Sequence, residues 1–181
     1  MTDSHETLRD QAFVGKLCAE LKAGRSFALA SVLATRGSMP RPAGARMALL
    51  TDGSWLGTIG GGHVEQMAQQ RCAKVLSGDE DDTLEWLTHA KTGMACGGDA
   101  LVGVALWRPE AADVLSKLQQ LLSSDTSAWI LECWPEGHPF KLSLASSPDD
   151  HQDFASLLCD TIVWDEDTRR HVEPIGPDPV V

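Results

Sequence analysis

Three glycine-rich pieces carry the chemistry this sequence could do: Gly37-Ser38-Met39-Pro40-Arg41, then Gly57-Thr58-Ile59-Gly60-Gly61-Gly62-His63-Val64-Glu65, then Cys96-Gly97-Gly98. Glycine loses much conformational entropy on folding and buries no side chain, so such clusters mark backbone that a ligand approaches closely. Gly60, Gly61 and Gly62 precede a helical pattern, and amide groups at a helix start favour anions. Arg41 lies between Pro40 and Pro42 in a stiffened loop and can hold a phosphate through two parallel hydrogen bonds, with the Ser38 hydroxyl nearby. The spacing Gly57-x-x-Gly60-Gly61-Gly62 departs from the dinucleotide-binding fingerprint.

His63 and Glu65 open two readings. Beside a ligand, His63 is a donor or proton carrier and Glu65 a base or orienting carboxylate; otherwise Glu65 complements the dipole of the helix it starts. Cys96 falls in a glycine turn, where an accessible thiolate is a nucleophile or a soft-metal ligand. Cys18 and Cys72 lie on apolar helix faces, and Cys133 and Cys159 are read as structural.

The elements that must position these residues follow from apolar periodicity. Leu8 to Leu21 at near-helical spacing predicts a helix ending before Gly24, and Val64 to Leu76 predicts another ending at Gly78. Strands are expected over 27–35, 45–51, 55–59 and 101–107, with an edge strand at 83–88 and a helix from Pro109. A strand pair over 128–134 and 140–145 and a hairpin over 161–164 and 169–174 complete the order. The acidic loop Gly78-Asp79-Glu80-Asp81-Asp82 reads as solvated. Strands and helices alternate too irregularly for a plain Rossmann fold, so the expected class is α+β or mixed α/β, a mixed sheet flanked by helices with the glycine-rich loops at one rim.

The 181 residues, 43% apolar, suffice for one domain with a sizeable core, expected over residues 1–174 with a linker-like tail at 175–181. The formal charge of −11 disfavours nucleic acid. Within it, residues 24–76 hold six bases against two acids, so the glycine-rich region reads as locally cationic, while residues 125–181 hold twelve acids against three bases. Five scattered cysteines without a CxxC pair argue against a disulfide framework and a zinc knuckle. With neither a membrane-length apolar run nor a signal-peptide pattern, the chain is expected to be cytoplasmic and off the membrane. A homodimer is expected on general frequency.

Together, Gly37-Ser38-Met39-Pro40-Arg41-Pro42-x-Gly44-x-x-Met47, the Gly57 to Glu65 stretch and Cys96-Gly97-Gly98 resemble in order and spacing the amino-terminal domain of the XdhC/CoxI family. Met39 stands where that loop often has a serine. The resemblance implies a maturation factor for xanthine dehydrogenase, carbon monoxide dehydrogenase or a related molybdenum hydroxylase, a chaperone that binds molybdenum cofactor (molybdopterin) and helps deliver its sulfurated form. It implies cofactor contacts from Ser38, Arg41, Gly60, Gly61, Gly62, Cys96, Gly97 and Gly98, and it makes Cys96 the candidate molybdenum ligand. A hydroxylase client and a cysteine desulfurase are the implied partners, and longer family members continue into a Rossmann-like domain. The competing readings are a Cys96-dependent transferase or oxidoreductase, in which His63 or Glu65 moves protons, and a nucleotide-binding regulatory module.

Overall fold

In a computed structural model, residues 7–88, 98–124 and 126–176 are described. Helix α1 (Gln11–Lys22) starts where Asp10 accepts hydrogen bonds from the amides of Ala12 and Phe13, at 2.8 and 3.0 Å. Leu8 is buried ahead of the helix rather than inside it. Strands β1 (Phe27–Arg36), β2 (Arg46–Leu50) and β3 (Trp55–Gly57) follow, with Asp52 turning the β2–β3 hairpin by accepting from the Ser54 amide. Helix α2 (Gly62–Ser77) stops at Gly78, whose left-handed backbone (φ 84°) few other residues adopt without strain. After β4 (Thr83–Leu87) and β5 (Asp99–Trp107), Pro109 begins a single 3-10 turn, and helix α3 (Ala112–Leu122) comes after it. Strands β6 (Ala128–Cys133), β7 (Lys141–Ala145), β8 (Val163–Asp165) and β9 (Arg170–Ile175) complete the described chain.

These strands do not make one mixed sheet. They divide into sheet A, in the order β3-β2-β1-β5-β4, and sheet B, in the order β7-β6-β9-β8. Every described pairing is antiparallel. The α+β class and the departure from a Rossmann sheet hold, as does the place of β4 on an edge. Two sheets form because β1 and β5 are apolar on both faces and each face needs a cover. Ala28, Ala30, Val32, Val102 and Val104 pack against Val64, Ala68, Cys72 and Val75 of α2. On the other face Phe27, Leu29, Leu33 and Trp107 meet α1, α3 and the inner side of sheet B, including Ile130 and Ile175. The outer side of sheet B is closed by Phe154 from a 3-10 segment. Among the described residues, no helix is long and apolar enough to cross a membrane.

Candidate functional site

Sheet A sets the geometry of the glycine-rich pieces. Because β1 and β5 are antiparallel, Arg36 at the end of β1 is paired with Asp99 at the start of β5, and the loops beyond them leave from the same edge. Gly98 then lies against the first loop so closely that a Cβ there would come 2.7 Å from the Ser38 carbonyl carbon and 3.0 Å from Met39 Cγ. Gly60 is pressed in the same way on Pro40 and Arg41, where a Cβ would lie 3.2 Å from Pro40 Cβ and 3.1 Å from Arg41 Cγ. The first two pieces and Gly98 of the third therefore reach one rim, with Ser38 exposed and Arg41 half-buried. Cys96 and Gly97 lie outside the described residues.

The turn before α2 is organised from within. Gly60, Gly61 and Gly62 all have positive φ (121°, 73° and 67°), a run that glycine makes affordable. Glu65 reaches back across the first turn of the helix, and its Oε2 accepts from the amides of Ile59 and Gly61, both at 3.0 Å, and from the Thr58 hydroxyl. Burial alone would raise the Glu65 carboxyl, but the hydrogen bonds from Thr58, Gly61, Ile59 and Gly60 outweigh it and hold it below the ordinary glutamate value. A carboxylate so engaged is a weak base, so the geometry favours the helix-start role over proton abstraction. Part of the expected anion cradle is thus filled by the chain's own carboxylate. What stays open is the backbone at Gly61 and Gly62, where a Cβ would meet nothing within 4 Å, and the first-turn amides of Gly62, His63 and Val64, which have no acceptor within the helix. His63 is exposed on that turn.

The cationic character expected of residues 24–76 does not survive folding, because acids from elsewhere neutralise it. Arg25 pairs with Glu20 at 2.7 Å, while Arg71 and Lys74 share Glu80. Arg36 stacks 3.9 Å from the Trp86 ring centroid and lies 3.6 Å from Glu166. Arg46 is fully buried between the sheets, 2.9 Å from Glu132 and 2.9 Å from Glu173. Of the six bases, Arg41 is the one whose stem packs on the glycine turn.

The Arg46 cluster is the feature that sequence reasoning missed. Glu132 on β6, with His171 and Glu173 on β9, receives an arginine from β2, and all four side chains are fully buried. His171 Nδ1 lies 2.7 Å from Glu132 Oε2. Desolvation would raise the Glu132 carboxyl, yet attraction to Arg46 and His171 wins and lowers it to about 2. Gly44 lies close by, its Cβ position 3.6 Å from Glu173 Oε1, so the cluster also seats the base of the loop that carries Ser38 and Arg41. The available signal was a charged residue inside each of two apolar strand runs, Arg46 and Glu132, with opposite signs.

Residues 20–86 match the XdhC and CoxI family. The matched segment contains the first two glycine-rich pieces and ends before the third. Among solved structures, a protein described as a xanthine dehydrogenase from Bacillus halodurans superposes with a TM-score of 0.66 at 17% identity, over 91% of this chain and 53% of its own. This chain therefore spans about half the length of that neighbour, and the likeness establishes a shared fold. No curated protein matches the sequence. The XdhC and CoxI match and the convergence of the glycine-rich pieces rest on separate observations, one on residue order and the other on packing.

Proposed function

We propose that this protein is a maturation factor for a molybdenum hydroxylase of the xanthine dehydrogenase or carbon monoxide dehydrogenase type, holding molybdenum cofactor at the glycine rim and assisting its sulfuration and insertion. The observation that carries the reading is the meeting of Gly60 with Pro40 and Arg41, and of Gly98 with Ser38 and Met39, at one edge of sheet A. The residues present suit a pterin phosphate. Gly61 and Gly62 leave open space that a side chain would fill, the first-turn amides of α2 supply donors, and Arg41 supplies charge.

When bound, the cofactor would supply the molybdenum centre and sulfur that the client uses. This chain's part is to orient and shield. Glu65 fixes the turn so that the amides of Gly62, His63 and Val64 keep one direction, and Arg41 is steadied by its stem against Gly60. Cys96, two residues before Gly98 in sequence, is assigned to the metal end as a soft ligand. A hydroxylase client follows from this reading, and a cysteine desulfurase and a homodimer belong to the same proposal. A Cys96-dependent enzyme that moves protons through Glu65 is the weaker reading, because that carboxylate is committed to its own turn.

The test is an anaerobic titration of molybdenum cofactor against the wild type, Arg41→Ala and Cys96→Ser, followed by reactivation of a cofactor-free hydroxylase. Loss of a charge-assisted contact worth about 1.5–3 kcal/mol lowers the affinity of Arg41→Ala roughly ten- to a hundredfold. Cys96→Ser is expected to keep that affinity and fail in reactivation. Equal binding and equal reactivation by all three proteins would refute the assignments.

A further inference from the structure

At the end of sheet A opposite the glycine rim, where Phe27 pairs with Trp107, a cleft of about 550 Å³ opens between the loop after α2 and the turn joining β6 to β7. That volume lies within the range of small-molecule sites, roughly 300–1,000 Å³. One wall is the acidic loop that the sequence marks as merely solvated. Asp82 pins it to β5 and to the residue before β7, accepting from the Leu106 amide and from the Phe140 amide, each at 2.9 Å. Glu80 is neutralised by Arg71 and Lys74, which leaves Asp81 as the exposed acid of that wall.

Two features mark the facing side. Arg169 is the described non-glycine residue with positive φ (53°), held there as its Nε donates to the Trp134 carbonyl at 2.7 Å. Backbone strain of this kind gathers at ligand sites. Trp134 also lines the cleft, and its indole N–H is buried with no acceptor among the described residues. Arg108, at the end of β5, adds an exposed cation that makes no described ion pair.

Asp81 on the wall after α2, Arg108 at the end of β5 and Arg169 on the facing side, over apolar Leu84, Leu106 and Trp134, define a ligand with both charges. A bare anion would be repelled by Asp81 and Glu136. A metal ion is disfavoured, since no group of three or more His, Cys, Asp or Glu among the described residues is placed to hold one. We propose that this cleft binds a zwitterionic small molecule of the dipeptide class, its ammonium directed to Asp81 and its carboxylate to Arg108 and Arg169. The volume leaves room for more than a single amino acid.

The experiment titrates glycyl-L-phenylalanine into isotope-labelled protein and follows the Trp134 indole N–H by NMR, with Trp134→Phe used only to assign the signal. N-acetyl-glycyl-phenylalanine and glycyl-phenylalanine amide each remove one charge. The parent dipeptide is expected to shift the Trp134 signal to saturation, and each neutralised end to weaken binding about tenfold. Arg108→Ala, which leaves Arg169 alone on the carboxylate, should shrink the difference between the dipeptide and its amide, and Asp81→Asn should erase the difference between the dipeptide and its N-acetyl form; both residues are exposed, so neither change threatens folding. Equal affinity for all three compounds, a response confined to other residues, or no response up to about 10 mM overturns the proposal. Cofactor binding at the glycine rim stands or falls separately.

Discussion

Glu65 Oε2 lies 3.0 Å from the amide nitrogen of Gly61 and accepts its hydrogen bond across the first turn of α2. That one contact ties the side chain of a helix to the backbone of the loop ahead of it, and with Ile59 and Thr58 it gives the glycine turn a single shape. Removing it is expected to cost more than a surface carboxylate would. Glu65→Ala leaves partly buried amides without an acceptor and should lower stability by about 1–3 kcal/mol, read from urea unfolding. Glu65→Gln keeps an acceptor oxygen and should lose less.

Acid should expose the same logic at the buried cluster. Glu132 is held at about 2 against an ordinary value of 4.5, and Glu65 is lowered as well. A folded-state value below the unfolded one means that the stabilisation is complete above the unfolded value and is lost as pH falls through the folded one. Urea midpoints should therefore be level above about pH 5 and fall steadily from about 4.5 toward 2. A midpoint that stays unchanged down to pH 3 contradicts the assignment.

Arg46 offers a sharper test, because breaking a buried ion cluster and replacing it have opposite expectations. Arg46→Met alone leaves Glu173 buried without a cation and Glu132 with His171 alone, at a cost of about 3–5 kcal/mol. Adding Glu132→Leu and Glu173→Met should recover most of that loss in chemical denaturation. A triple variant no more stable than the single one would locate the cost in shape rather than in charge.

Gly98→Ala should disturb the rim directly. Its Cβ would fall 2.7 Å from the Ser38 carbonyl carbon, and backbone cannot swing aside as a side chain can. Overpacking of this kind costs about 1–3 kcal/mol, and cofactor affinity should drop with it. Gly15→Ala is the matched control: it lies inside α1, meets only the end of the Gln119 side chain at 3.3 Å, and should gain about 0.5–1 kcal/mol. Thermal unfolding of both variants decides the matter.

Thiol reactivity should separate the cysteines. Burial pushes the Cys72 thiol up to about 12, and Cys18 is equally enclosed. Timed alkylation near pH 8 should leave both unmodified in the folded protein while Cys96 labels first. Faster labelling of Cys72 than of Cys96 would end the case for an accessible thiol at the rim.

Much of this architecture was legible because period and punctuation agree. The apolar face of α2, its stop at Gly78, the Asp52-Gly53 turn and the double-sided burial of β1 all follow from residue spacing. The division into two sheets was not, since antiparallel partners are chosen by packing of faces that a one-dimensional pattern does not pair. The glycine-rich pieces were legible as a group, but the capture of the Ile59 and Gly61 amides by Glu65 was not, because a helix-start acid looks the same whether it faces solvent or its own backbone. Counting charges along residues 24–76 misled for the same reason: Glu132, Glu166 and Glu173, which answer Arg36 and Arg46, come from far along the chain.

Arg46 lies inside the segment matched to the XdhC and CoxI family, whereas Glu132, His171 and Glu173 lie beyond it. The matched segment is therefore not a transplantable module. A chimera with a breakpoint between β2 and β6 would bring an arginine into an interior that lacks its acids, or acids into one that lacks its arginine. Recombination among related chains is free only where both sides of this cluster travel together, and drift at position 46 should be answered at 132 and 173 in the same lineage.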